Sequence, residues 1–207
     1  MPGRRDDNVM WWLRARRAHT RLPLGFLMFV LLAATVQDTP LFLPSIWSGG
    51  SELVQAATLV PLVLTSVLFD CLHTRLDAAE TTGVRPVRFF DVLLALGVVA
   101  LASAVGELIA MITGAASAET LGRNTAFLAG LTLLCGALFG RSAILVPALW
   151  PLLGVLFGMR APGDAYPWTV LLEPPDTWYA STGALLMLAV GVGAHLLPPN
   201  RFARRAA

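Results

Sequence analysis

Glu107 stands inside the apolar run FFDVLLALGVVALASAVGELIAMIT, Phe89–Thr113, about two turns from its C-terminal end. A carboxyl group among aliphatic neighbours is costly, and the usual reason to keep one there is function. Arg123 follows in the first turn of the next apolar run, Leu121–Phe139, at a similar depth. The two are expected to form an ion pair across a helical hairpin, either fixing the packing or meeting a substrate or a proton. Asp70 and Asp91 lie at the opposite ends of their runs, where water is close. They are expected on one aqueous surface with HTRLDAAETTGVRPVR.

The other reactive groups exclude more than they suggest. His19, His73 and His195 form no His-Glu-x-x-His zinc pair, and His195 reads as a polar residue at a helix end near the headgroups. There is no Gly-x-Ser-Gly pattern of an intramembrane serine protease and no Asp-rich diphosphate motif of a prenyltransferase. Every basic side chain except histidine is arginine. Without lysine there is no Schiff-base chemistry and no Walker sequence, so ATP, if used, is bound by another protein. Cys71 and Cys135 lack metal-ligand spacing, sit in or beside apolar runs and are expected in the core. No cofactor is expected.

The elements that must hold these residues are helices in lipid. Of 207 residues, 56% are hydrophobic and only 14% charged, whereas a soluble domain is roughly half apolar and one quarter charged. Six apolar segments are expected to cross a membrane: Leu22–Val36, Leu53–Leu72, Phe89–Thr113, Leu121–Phe139, Ser142–Met159 and Trp178–Leu197. The first is read as a retained span rather than a cleaved signal, because its leader is long and no small-x-small site precedes Asp38. The fold class is therefore all-α, polytopic, with six transmembrane helices. With the N-terminus in the cytoplasm, every arginine but Arg123 and Arg160 falls on the cytoplasmic side, so both termini are expected there. The outer segments carry Trp47, Tyr166, Trp168, Trp178 and Tyr179, an interfacial belt.

Three further features bear on mechanism. Residues 1–21, with MWWLRARRAHTR, read as an interfacial amphipathic helix whose tryptophans sit at headgroup depth and whose arginines face anionic lipid, not nucleic acid. Residues 198–207 form a basic cytoplasmic tail. GALFG (136–140) and GVLFG (154–158) let helices approach closely, within one chain or across a dimer face. Pro147 and Pro151 are expected to bend the fifth span before YPWTVLLEPPDTWY, which is apolar enough to dip into the membrane edge. With Trp150, Glu107 and Arg123, these prolines are the candidates for a substrate path or gate.

The layout resembles the membrane subunit of a type-two ABC exporter. The parts that carry the resemblance are DDNVMWWLRARRAHTR as a leading cytoplasmic helix, DCLHTRLDAAETTGVRPVRFF as a coupling loop and YPWTVLLEPPDTWY as a re-entrant outer segment. GRNTAFLAGLTLLCGALFGRSAILVPALWPLLGVLFG also looks like stretches of small actinobacterial permease-like proteins. The resemblance implies a plasma-membrane permease that works with a cytoplasmic ATP-binding subunit and a second six-span subunit, identical or different. Arg75, Asp77, Glu80, Arg85 and Arg88 would then touch the ATPase, and the cargo would be a hydrophobic small molecule, peptide or lipid. The alternatives are an accessory subunit of a membrane complex without transport of its own, and a lipid-modifying enzyme using Glu107.

Overall fold

The computed structural model describes residues 18–36, 39–46, 49–73, 87–161 and 164–197. Its helices are α1 (Ala18–Val36), α2 (Pro61–Leu72), α3 (Val87–Thr113), α4 (Ala116–Phe139), α5 (Leu145–Phe157) and α6 (Trp178–Leu196). Two antiparallel hairpins interrupt them: β1 (Pro40–Ser45) with β2 (Gly50–Gln55), and β3 (Met159–Ala161) with β4 (Asp164–Ala165). The described chain is mostly helical, and α1, α3, α4 and α6 are each long and apolar enough to cross a membrane. This is the build of a helical membrane protein. The expected leading helix falls mostly on residues 1–17, and the basic tail on 198–207; both lie outside the described residues.

Four long helices, not six, is the main correction. The expected second span, Leu53–Leu72, is broken by backbone pairing. Leu53 to Gln55 belong to β2, where Leu53 faces Phe42 and Gln55 faces Pro40. A short 3-10 turn, Ala56–Thr58, follows, and Pro61 then opens α2, where its fixed φ and missing N–H suit the first turn. The expected fifth span, Ser142–Met159, is shortened at its start. Gly140, with φ of 60°, ends α4, and a 3-10 segment, Gly140–Ile144, runs into α5. Thus α2 has 12 residues and α5 has 13. At 1.5 Å per residue each is about 20 Å long, against the roughly 30 Å of a hydrocarbon core.

Helix α4 is the pillar of the bundle. Most of its length is buried, while the other long helices are mostly exposed. Around it pack α3, α6, α2 and α5, with Leu121, Leu128 and Leu133 fully enclosed. Its buried threonines survive there because the helix itself satisfies them. Thr125 donates to the Leu121 carbonyl at 2.7 Å, Thr132 to that of Leu128 at 2.7 Å, and Thr120 to that of Ser117 at 2.8 Å. The closest approach is between α4 and α6. A Cβ on Gly130 would lie 2.5 Å from the Leu188 nitrogen and the Met187 oxygen, and one on Gly191 would strike the Gly130 carbonyl. Backbone touches backbone there, which only glycine permits. The Gly-x-x-x-Gly pairs of GALFG and GVLFG do not meet one another. Gly136 faces His73, and Gly154 and Gly158 face Thr169.

Candidate functional site: a latched loop at one end of the bundle

The residues after α5 do not stay outside the bundle. Tyr166 donates its N–H to the Gly158 carbonyl at 2.8 Å, and turns at Thr169 and Leu172 bring the chain back along α4 and α5. Thr169, Val170, Leu171 and Glu173 are all buried. Arg160, on β3, lies 4.4 Å over the Tyr166 ring and steadies the entry to this segment.

Two neighbouring residues of α4 latch it. Arg123 donates from Nη1 to the Pro174 carbonyl at 2.7 Å and from Nη2 to the Glu173 carbonyl. Asn124, fully buried, donates from Nδ2 to the Leu171 carbonyl at 3.2 Å. Irregular backbone inside a membrane protein is tolerated only when its carbonyls find donors, and here α4 supplies them. The Glu173 carboxylate also attracts the Arg123 guanidinium electrostatically, and Tyr179 at the start of α6 lies within electrostatic reach of both. Glu173 is only 7% exposed, and its Oε1 has no hydrogen-bond partner among the described residues.

An aromatic row continues the site inward. Phe127, one turn beyond Arg123 on α4, lies 5.7 Å from Trp150 of α5, and Trp150 lies 6.2 Å edge-on to Trp168 of the loop. Phe127 is eleven residues beyond Ala116, so the row sits about 16 Å along α4. The loop itself touches α4 at Asn124, eight residues beyond Ala116 and about 12 Å along the helix. Trp150 directly precedes Pro151, the one proline inside α5, where a backbone hydrogen bond is lost. Pro147 lies in the first turn of α5, where an N–H has no helical partner anyway, so it removes no helical hydrogen bond. Of the two prolines expected to bend this helix, only Pro151 stands in its interior.

Glu107 is not part of this site. Its neighbour Gly106 packs on Ala118 and Leu121, which turns Glu107 about 100° away to the exposed face of α3. The expected Glu107–Arg123 pair is replaced by the Arg123–loop latch. Sequence reasoning missed Asn124, Glu173 and the packing of Trp168 on Trp150. Asn124 was the available signal, an amide beside an arginine at the head of an apolar run. Among the described residues no group of His, Cys, Asp and Glu is placed to hold a metal ion.

The opposite end of the bundle is tied by charge. Arg21 of α1 pairs with Asp70 of α2. Arg88 at the start of α3 donates to the Leu197 carbonyl just past α6. His195 Nε2 lies 3.5 Å from Asp91 Oδ2, and Asp91 is 2% exposed. Asp91 was expected at an aqueous surface; it is instead buried between α3 and α6, and His195 is its neighbour rather than a lone headgroup residue. His195→Ala is expected to lower stability by about 1 kcal/mol, with His195→Gln recovering most of it, read as the melting temperature in detergent. Of the expected ATPase contacts, Arg75, Asp77, Glu80 and Arg85 lie outside the described residues, and Arg88 is engaged within the chain. Cys71 and Cys135 are buried, as expected.

No protein-family model, no curated protein and no solved structure matches the chain.

Proposed function

We propose that this chain is the permease subunit of an ATP-driven exporter of hydrophobic small molecules, peptides or lipids. It works in the plasma membrane with a separate cytoplasmic ATP-binding subunit and a second six-span subunit. In this reading the two short helices, α2 and α5, also cross beside the four long ones, and both termini are cytoplasmic. The observation that carries this reading is the latched loop. An irregular segment inserted beside a helix with an internal proline, held by a few hydrogen bonds to one arginine and one asparagine, is the kind of part that can open and close. In this reading it is the outer gate. Trp150 couples the bend of α5 to the loop through Trp168, and ATP closing the paired ATPases moves the helices. No residue of this chain does covalent chemistry.

The Gly130–Gly191 contact favours a second reading, an accessory subunit without transport. A bundle joined backbone to backbone at its centre moves as one piece. One experiment separates the two: purification of the tagged protein from its host membranes in mild detergent, with the co-purifying proteins identified. A stoichiometric partner carrying a Walker sequence and hydrolysing ATP supports the exporter. Purification alone, or with a membrane complex lacking an ATPase, overturns it. In the exporter complex, Asp77→Ala combined with Glu80→Ala is expected to leave ATP hydrolysis running while transport falls about tenfold or more.

A further inference from the structure

Between α1 and α2 the hairpin β1–β2 bridges two helix ends. Its base is tied to α1, where Thr39 donates its N–H to the Val36 carbonyl at 3.0 Å and Ala56 donates to the Thr39 carbonyl at 3.1 Å. Its far end is tied to α5, where Ile46 donates its N–H to the Leu156 carbonyl at 3.0 Å. One face is turned to the protein, with Ser45 and Val54 buried. The other carries Pro40, Phe42 and Pro44 of β1 and Ser51, Leu53 and Gln55 of β2, all exposed and none charged. Phe42 stands directly opposite Leu53. At 70% and 58% exposure the two form an apolar patch, and Ile46, at 64%, extends it towards α5.

The position of this face says what covers it. Helix α1 has 19 residues and is about 28 Å long, close to the roughly 30 Å of a hydrocarbon core, so Val36 marks the edge of that layer. Strand β1 starts four residues later. The patch is also continuous with helix flanks that face lipid: Leu27 and Leu31 on α1, and Leu153 and Phe157 on α5, are exposed. Among the described residues the ribbon has two strands, so its outer edges keep backbone groups that no further strand pairs. Hydrocarbon rejects those groups, and water rejects Phe42 and Leu53. The boundary between acyl chains and headgroups accepts both. Pro40 and Pro44 have no N–H to offer a third strand, which argues against a protein partner that extends the sheet.

We infer that this face of the hairpin rests on lipid, at the headgroup–acyl boundary of the leaflet that the C-terminal end of α1 reaches. Phe42, Leu53 and Ile46 enter the first acyl carbons, and the ribbon edges stay among hydrated headgroups. The hairpin thereby sets the height of α1 and α5 against the bilayer. The inference requires neither transport nor an ATPase.

The test is depth-dependent fluorescence quenching of the purified protein in phosphatidylcholine vesicles. Phe42→Cys or Leu53→Cys, in a chain with Cys71→Ala and Cys135→Ala, carries a nitrobenzoxadiazole label. Leu186→Cys, exposed near the middle of α6, is the control. At Phe42→Cys and Leu53→Cys, a lipid nitroxide near the ester groups is expected to quench about threefold more than one near the chain ends, with the reverse order at Leu186→Cys. Adding Phe42→Glu and Leu53→Glu to a chain labelled at Ile46→Cys is expected to lower its shallow quenching about threefold. Both side chains are exposed, so the melting temperature of that variant in detergent is expected to stay near the parent's. Quenching at Phe42→Cys and Leu53→Cys by aqueous iodide without quenching by either lipid nitroxide overturns the inference, and leaves the face for a protein partner. Protection from all three quenchers also overturns it, because a second copy of the chain then covers the face. So does indifference of the Ile46→Cys label to the two glutamates.

Discussion

Gly191→Leu is expected to abolish the folded bundle, with Gly130→Leu doing the same. A side chain at either position meets backbone of the neighbouring helix, not a side chain that can rotate away. The helices must part, and Leu188, whose backbone meets Gly130, and the buried Ala184 one turn before it lose packing along the seam. Overpacking alone costs about 1–3 kcal/mol. In a membrane the loss is worse than in water, because van der Waals packing rather than exclusion of water holds helices together. Set against a total stability of roughly 5–15 kcal/mol, a leucine here removes most of the margin. The readout is the yield of monodisperse protein in mild detergent, with Gly191→Ala giving an intermediate melting temperature. The control is Gly193→Leu, two residues on, where a Cβ meets nothing within 4 Å. That variant is expected to behave as the parent. Equal behaviour of Gly191→Leu and Gly193→Leu would mean that α4 and α6 do not cross at Gly130.

Arg123→Met is expected to free the loop while leaving the bundle folded. It removes the donors to the Glu173 and Pro174 carbonyls, and it leaves the buried Glu173 carboxylate without its nearby positive charge. Each hydrogen bond from a charged donor to these carbonyls contributes about 1.5–3 kcal/mol. That energy is local to the docking of the loop, so it appears as exposure of residues 169–173 rather than as global unfolding. With Leu171→Cys as a reporter, 3% exposed in the docked state, labelling by a membrane-impermeant maleimide is expected to rise about a hundredfold or more. Asn124→Leu removes one hydrogen bond and is expected to give a smaller rise, about tenfold. Arg123→Lys, a single flexible ammonium in place of a planar fork, falls between parent and Arg123→Met. Unchanged labelling in Arg123→Met would show that Asn124 and the burial of Val170 and Leu171 hold the loop without Arg123.

How far these parts were readable in advance depended on the interaction that makes each one. Runs held only by their own helical hydrogen bonds and by lipid were legible. Phe89–Thr113 became Val87–Thr113, and Trp178–Leu197 became Trp178–Leu196. The start of α4 was placed five residues late because Ser117, Glu119 and Thr120 read as loop, whereas Thr120 bonds back to the helix at Ser117. Hydropathy is blind to strand pairing, so Leu53 to Gln55 looked like the head of a span when they belong to β2. It is equally blind to rotation about a helix axis. Depth brought Glu107 and Arg123 together on paper; the packing of Gly106 against Ala118 separates them. The loop's departure from the surface was anticipated by its apolar Pro-rich composition, but its depth depends on Arg123 and Asn124 finding particular carbonyls, which no pattern in the chain announces.

The short fifth helix carries a consequence for the lipid itself. Helix α5 turns Leu149, Leu152, Leu153 and Phe157 outward, whereas α2 is mostly buried against α1 and α4. At 13 residues, α5 is about 10 Å shorter than a hydrocarbon layer. Acyl chains that meet it splay and shorten to match, drawing headgroups and water towards the middle of the bilayer. Around the bundle, the thinnest lipid then lies along the helix that carries Trp150 and Pro151.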